Sequence, residues 1–140
     1  MASSGTKFVR EVIKVMMESK SFDRVMGKVS VITAGQGQCV AEMKVEKEHQ
    51  NSGGTLHGGL TATLVDSVST CALMTHERAI PGVSVNINVS YLKAAKEGDV
   101  IVIDAKTLKA GRNLAFLEVC VKNKDTGDII ATGSHTKYIG

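Results

Sequence analysis

Asn51-Ser-Gly-Gly-Thr-Leu-His57-Gly58-Gly59-Leu-Thr-Ala-Thr-Leu-Val-Asp66 is the stretch on which the architecture turns. A polar, glycine-rich loop gives way there to a helical pattern expected over 55–76. Leu60, Leu64, Val65, Val68, Ala72 and Leu73 form its wide apolar stripe. Ala62, Ser67, Ser69 and Thr70 keep the helix slim, which suits burial against a sheet. The glycine pair lets a ligand approach the backbone at the helix start. Unpaired amides at the positive end of the helix dipole can hold an anion or stabilise a developing oxyanion there. Asp66 stands inside the apolar pattern, where a carboxylate is rare unless paired or functional. It offers a base or a nucleophile. Amide donors plus a carboxylate, without a metal motif, point to acyl transfer or hydrolysis.

On the N-terminal side, Cys39–Val45 alternates, the Gly35-Gln36-Gly37 turn precedes it, and a first strand begins after Gly27, so a hairpin is expected. Residues 7–19 repeat Phe8, Val9, Val12, Ile13 and Met16 at helical spacing, and residues 1–6 are small and polar, expected to fray. On the C-terminal side the helical pattern breaks over 78–82 at Pro81-Gly82. Val83–Tyr91 then alternates cleanly. Val83, Val85, Ile87, Val89 and Tyr91 share one face, and Ser84, Asn86, Asn88 and Ser90 the other, which is either solvated or turned to a ligand. Strands over 99–109 and 113–123 follow, then a turn at Asp125–Asp128 and a last strand over 128–138. The reading is one α+β domain spanning 1–140: a long central helix against an antiparallel sheet, with an N-terminal helix added.

The chain's 140 residues suit one domain with a real core, and 43% hydrophobic residues exclude a disordered chain. With no Trp and few Phe or Tyr, that core must be aliphatic. A net charge of +3 is compatible with a phosphate-bearing ligand and too mild for a nucleic-acid partner. Cys39, Cys71 and Cys120 are odd in number and widely spaced, so they read as reduced thiols in a cytosolic-type compartment. No apolar run reaches membrane-spanning length and no secretory leader is visible, so a transmembrane protein is not expected. Residues 7–18 are amphipathic and basic, but Glu11 and Glu18 weaken a transit-peptide reading. His49, His57, His76 and His135 show no metal-ligand spacing, no G-x-S-x-G elbow is present, and no cofactor is expected.

Asn51, then His57-Gly58-Gly59, then Asp66, then the Pro81-Gly82-Val83-Ser84 entry to a strand together resemble the hotdog-fold acyl-coenzyme A thioesterases, in the phenylacetate-pathway-like branch. The resemblance runs from about Val9 to Ile139. It implies hydrolysis of medium- to long-chain fatty acyl-coenzyme A, with coenzyme A as part of the substrate. Asp66 matches the catalytic carboxylate and Gly58 the residue whose amide binds the thioester oxygen. Asn51 matches the side chain orienting that carbonyl, and Ser84 the residue that positions the water; His57 precedes Gly58 as in the family. Coenzyme contacts are implied at Asn86, Tyr91 and the Lys109-Ala110-Gly111-Arg112-Asn113-Leu114 turn, with Lys47 and Tyr138 at peripheral positions. The resemblance also implies a lipid-transfer protein as partner. The cellular expectation is cytoplasmic, with mitochondrial association second.

Each residue also has a plainer reading. Asp66 suits a partly exposed aspartate or one satisfied by a neighbouring Ser or Thr hydroxyl, Asn51 a turn, Ser84 the polar face of a strand, and His57 a helix start; Gly58 and Gly59 suit close packing, and Lys109 and Arg112 a solvated loop. The scaffold also hosts enoyl thioester hydratases, and a non-enzymatic acyl-coenzyme A sensor acting through a partner is a third possibility. Gly58 and Asp66 lie eight residues apart on one helix, about 12 Å along its axis. One thioester cannot meet both in a single chain. A homodimer with two antiparallel helices solves this, and a homotetramer as a dimer of dimers is the expected assembly.

Overall fold

The computed structural model describes residues 2–78 and 80–140. Met1, in the segment expected to fray, and Ala79, in the expected break over 78–82, lie outside the described residues. The elements are α1 (Ser4–Glu18), β1 (Ser30–Gly35), β2 (Gln38–Lys44), α2 (Gly58–Met74), β3 (Val83–Tyr91), β4 (Val100–Ala110), β5 (Leu114–Asn123) and β6 (Ile129–Tyr138). Short 3₁₀ turns occupy Phe22–Met26 and Lys47–His49. All strands pair antiparallel in one six-stranded sheet ordered β1-β2-β4-β5-β6-β3. The long helix α2 lies across one face and touches every strand, which is the hotdog arrangement.

Helix α2 begins later than expected because His57 caps it. The His57 backbone is extended, and its Nδ1 accepts the Gly59 N–H at 2.8 Å. Thr55 and Leu56 instead form isolated bridges with Lys96 and Gln50. Leu64, Val65, Val68, Cys71 and Ala72 are buried against Met43, Ile101, Ile103, Val119 and Val121, the aliphatic core that the composition requires. Each fully buried Leu, Ile, Val or Met among them contributes about 1.5–3 kcal/mol. Gly133 on β6 lets the helix settle: a Cβ there would sit 2.7 Å from Val65 Cγ1.

Ser3–Thr6 are held in place where fraying was expected. Ser3 Oγ accepts the Thr6 N–H at 3.1 Å and caps α1. Buried Thr6 then accepts the Ala34 N–H at 2.9 Å and donates to the Ala34 carbonyl at 3.3 Å. Arg10 donates from Nε and Nη2 to the Val31 carbonyl (3.1 and 2.8 Å), beside the register shift between Val31 and Thr33. Helix α1 thus covers one edge of the sheet. The other edge, β3, has nothing paired on its outer side among the described residues, and Val83 and Val85 are 69% and 60% exposed.

The alternation expected along β3 changes phase. The register with β6 shifts between Ser84 and Asn86, which places a bulge at Val85. Ser84 pairs with Lys137 and Ile87 with His135, both buried, so Ser84 shares the inner face with Ile87 and Val89. Asn86 pairs with Thr136 and turns to the outer face. The expectation that Ser84 lies opposite Ile87 and Val89 is therefore corrected: one extra residue inverts which side chains point inward.

Candidate active site

Two groups of side chains gather at opposite ends of β3. At the Tyr91 end, Asn51, Gly58, Thr61, Tyr91 and Lys93 line a cleft of ≈ 340 Å³. Tyr91 donates its hydroxyl to the Gly58 carbonyl at 2.7 Å and so fixes the first turn of α2. The Gly58 N–H, in that first turn, has no partner among the described residues. Asn51 Oδ1 accepts the amides of Gly53 (2.9 Å) and Thr55 (3.2 Å), so the side chain does shape its turn. Its Nδ2 donates to Thr55 Oγ1 at 3.0 Å and keeps a second hydrogen for another acceptor. His57 is occupied as the helix cap through Nδ1. It lies with Gly59 and Leu60 on a second, larger cleft of ≈ 640 Å³ floored by Phe22 and Val25.

At the Ser84 end the centre is His135, which the sequence reading passed over except to exclude a metal. Its ring is buried. Nδ1 lies 2.8 Å from Ser69 Oγ, Nε2 lies 2.7 Å from Ser84 Oγ, and Asp66 Oδ1 is 3.9 Å from Nε2. Either tautomer fits the two ring contacts; the one with the proton on Nδ1, in which Ser69 gives its hydroxyl hydrogen to the Asp66 carbonyl at 3.1 Å, leaves Nε2 to accept from Ser84 with that oxygen's lone pairs free. Burial pushes His135 down to about 4; the charge of Lys137 pushes the same way and Asp66 opposes both. The ring is therefore neutral at neutral pH. Lys137, also buried, donates to Thr70 Oγ1 at 2.7 Å.

Asp66 departs from one expectation: its side chain is 45% exposed in the single chain, not buried. It lies on the margin of α2 that the protomer's own sheet leaves open. The single chain also does not unite Asp66 with Gly58, which stay about 12 Å apart along the helix.

The expected coenzyme positions fall mostly on the other side of the sheet. Asn86 pairs with Thr136, Lys109 with Phe116 and Leu114 with Tyr138, all on the face turned away from α2. The turn carrying Lys109-Ala110-Gly111-Arg112-Asn113-Leu114 is held by Arg78, whose Nη1 donates to the carbonyls of Gly111 (2.6 Å) and Arg112 (2.9 Å). Lys109 and Arg112 are exposed and make no ion pair among the described residues. Lys47 is exposed in the 3₁₀ turn before Asn51. Among the described residues no group of three or more His, Cys, Asp or Glu side chains could hold a metal, and no helix is long and apolar enough to cross a membrane.

Residues 53–130 match the model of the thioesterase superfamily. The chain is 54% identical to human acyl-coenzyme A thioesterase 13 over 138 residues, covering 99% of each protein, and 55% identical to the mouse protein over the same span. Its structure superposes on zebra fish thioesterase superfamily member 2 with a TM-score of 0.96 at 52% identity, over 99% of this chain and 100% of the other. With mouse thioesterase superfamily member 2 the TM-score is 0.91 at 54% identity, over 99% of both chains. A family model spanning more than half the chain, relatives matched over almost all of it and a shared fold together establish that this protein is an enzyme of the thioesterase superfamily.

Proposed function

We propose that the protein hydrolyses medium- to long-chain fatty acyl-coenzyme A to free acid and coenzyme A, at a site composed from two protomers. The observation that carries this reading is the placement of two incomplete half-sites at the two ends of one edge strand, β3, whose outer side is unpaired among the described residues. Two copies of β3 pairing antiparallel about Ile87–Asn88 bring Ser84 of one protomer beside Tyr91 of its partner. Asn51 and Gly58 of one chain then face Asp66 and Ser84 of the other. The exposed edge and the half-exposed Asp66 are both covered in the same step. A dimer of such dimers is the assembly we assign, since Leu114, Phe116 and Tyr138 leave an apolar outer face on each sheet.

In that site the thioester oxygen accepts from the Gly58 N–H and the free hydrogen of Asn51 Nδ2. Both donors are fixed before substrate arrives, so they stabilise the tetrahedral oxyanion without reorganising. Water lies between the Asp66 carboxylate and the Ser84 lone pairs. Asp66 takes its proton as the oxygen attacks the carbonyl carbon, and collapse of the intermediate expels the coenzyme thiolate. Lys109 and Arg112 are the cations placed to receive coenzyme phosphates, with Asn86 and Tyr138 on the same face and Lys47 peripheral. His57 holds the first turn of α2 in place. The name of the 54% identical relatives supports the acyl-coenzyme A substrate. On the family resemblance, a cytoplasmic setting is proposed first and mitochondrial association second, with a lipid-transfer protein as partner. Asp66→Asn lowers kcat for thiol release from acyl-coenzyme A by about 100-fold or more while the fold persists. Turnover near the parent rate in that variant would remove Asp66 from the mechanism.

A further inference from the structure

Lysine is almost never fully buried without a partner charge. Lys137 is buried on β6, and among the described residues no carboxylate oxygen lies within 4 Å of it. Among the described residues its ammonium makes one hydrogen bond, to Thr70 Oγ1 at 2.7 Å. Two positions earlier on the same inward face, His135 makes the matching contact to Ser69 at 2.8 Å. The two hydroxyls are adjacent on α2, and both donate to one acceptor, the Asp66 carbonyl, at 3.1 Å from Ser69 and 2.8 Å from Thr70. The ladder partners of Lys137 are Ser84 on β3 and Ala115 on β5, neither of them ionisable. The ionisable groups that face it are Asp66 and Cys71 from α2 and His135 from its own strand.

From this geometry we infer that Lys137 is a positioning residue of the active site. Its ammonium adds to burial in keeping the His135 ring neutral, with Nε2 free to accept from Ser84, while its bond to Thr70 helps fix the Asp66 peptide. The inference rests on the reading of Asp66, Ser84 and His135 given above. Strand geometry supports the electrostatic half: side chains two residues apart project to the same face about 7 Å apart. A protonated imidazole that close to an ammonium is disfavoured. Burial lowers Lys137 from its ordinary value and the Asp66 carboxylate opposes that lowering. If His135 were protonated, Nε2 would become a donor and Ser84 would lose its acceptor.

The test is Lys137→Met, an unbranched apolar replacement that removes the charge and the donor together. The intact oligomer is used. The His135 ring is followed by NMR with labelled histidine, and the acid limb of kcat/KM for acyl-coenzyme A is followed alongside it. Removing the ammonium raises the His135 midpoint by roughly half to one and a half pH units, and the acid limb moves the same way with about a 3- to 30-fold loss of rate; since loss of the ammonium also favours protonation of Asp66, the His135 midpoint is the deciding reading. Rate returns as pH rises above the new midpoint. A His135 midpoint or an acid limb that stays in place in the folded variant overturns the inference. If Lys137→Met does not fold, Lys137→Gln decides by the same criteria, since it keeps a donor for Thr70 and lacks the charge. Asp66→Asn separates the two levels. Hydrolysis lost in that variant, with no change in Lys137→Met, defeats this inference alone. Hydrolysis retained defeats the site assignment beneath it.

Discussion

Acidification should weaken the fold through one histidine, and the size of the effect follows from its burial. His135 has an ordinary value of 6.5 and is held at about 4 in the folded protein, chiefly by burial. A depressed folded value means that between 6.5 and 4 the unfolded chain binds more protons than the folded one. The stabilisation is therefore complete above pH 6.5, declines as pH falls toward 4, and changes no further below that. The gap is worth about 3 kcal/mol in all, and about 2 kcal/mol of it is lost between pH 7.5 and pH 5. Against a total stability of about 5–15 kcal/mol, that is a large share. The carboxylates held low by lysine partners, Glu48 with Lys28 and Asp128 with Lys93, lose their contribution only at lower pH. Urea unfolding at one fixed protomer concentration, from pH 7.5 to 5, measures the slope. His135→Gln provides the reference, since it removes the titration while keeping a polar side chain. The parent protein should lose about 2 kcal/mol more than the variant over that interval. Parallel decline of the two would refute a neutral, desolvated His135.

Two further outcomes test the packing that places the site. Thr6→Val leaves the Ala34 N–H without its side-chain partner, Ser3 Oγ remaining on the carbonyl at 3.2 Å, and should cost about 1–3 kcal/mol by urea unfolding; an unchanged midpoint would mean that α1 does not cover the β1 edge. Gly133→Ala drives a methyl to within 2.7 Å of Val65 Cγ1 and should cost about 1–3 kcal/mol, with Val65→Ala restoring part of it in a double-mutant cycle; additive losses would contradict a contact between the two.

The layers are readable from alternation and from apolar content. The alternation of β3 is clear and Val83–Tyr91 is the strand observed, whereas α2 is apolar around most of its circumference and is read from its length and composition rather than from a narrow stripe. Phase was harder to read. A bulge at Val85 leaves no mark in composition, yet it turns Ser84 inward and Asn86 outward. His135 and Lys137 were missed for a related reason. They continue the inward positions Ala131 and Gly133 along β6, so alternation alone places them on the core face, but polar residues there read as a solvated strand. Their partners Ser69 and Thr70 lie far away in the chain, and only the fold joins them. Asp66 was expected to be buried because its helix is apolar. Half of its surface is open in one chain because the helix has a margin that its own sheet does not cover.

The central claim is that one working site needs two chains, and mixed oligomers test it most directly. Asp66→Asn removes the base from one type of protomer. Asn51→Asp removes the Nδ2 donor from the other, while its oxygen still accepts the Gly53 and Thr55 amides and keeps the turn. Each variant alone should be nearly inactive. After co-unfolding and refolding, random pairing makes half of the dimers mixed, each with one intact and one doubly altered site, so thiol release should recover to about a quarter of the parent rate. Recovery to that level establishes the composite site. Verified mixed dimers with no more activity than the separate variants would contradict it and place the whole reaction within one protomer.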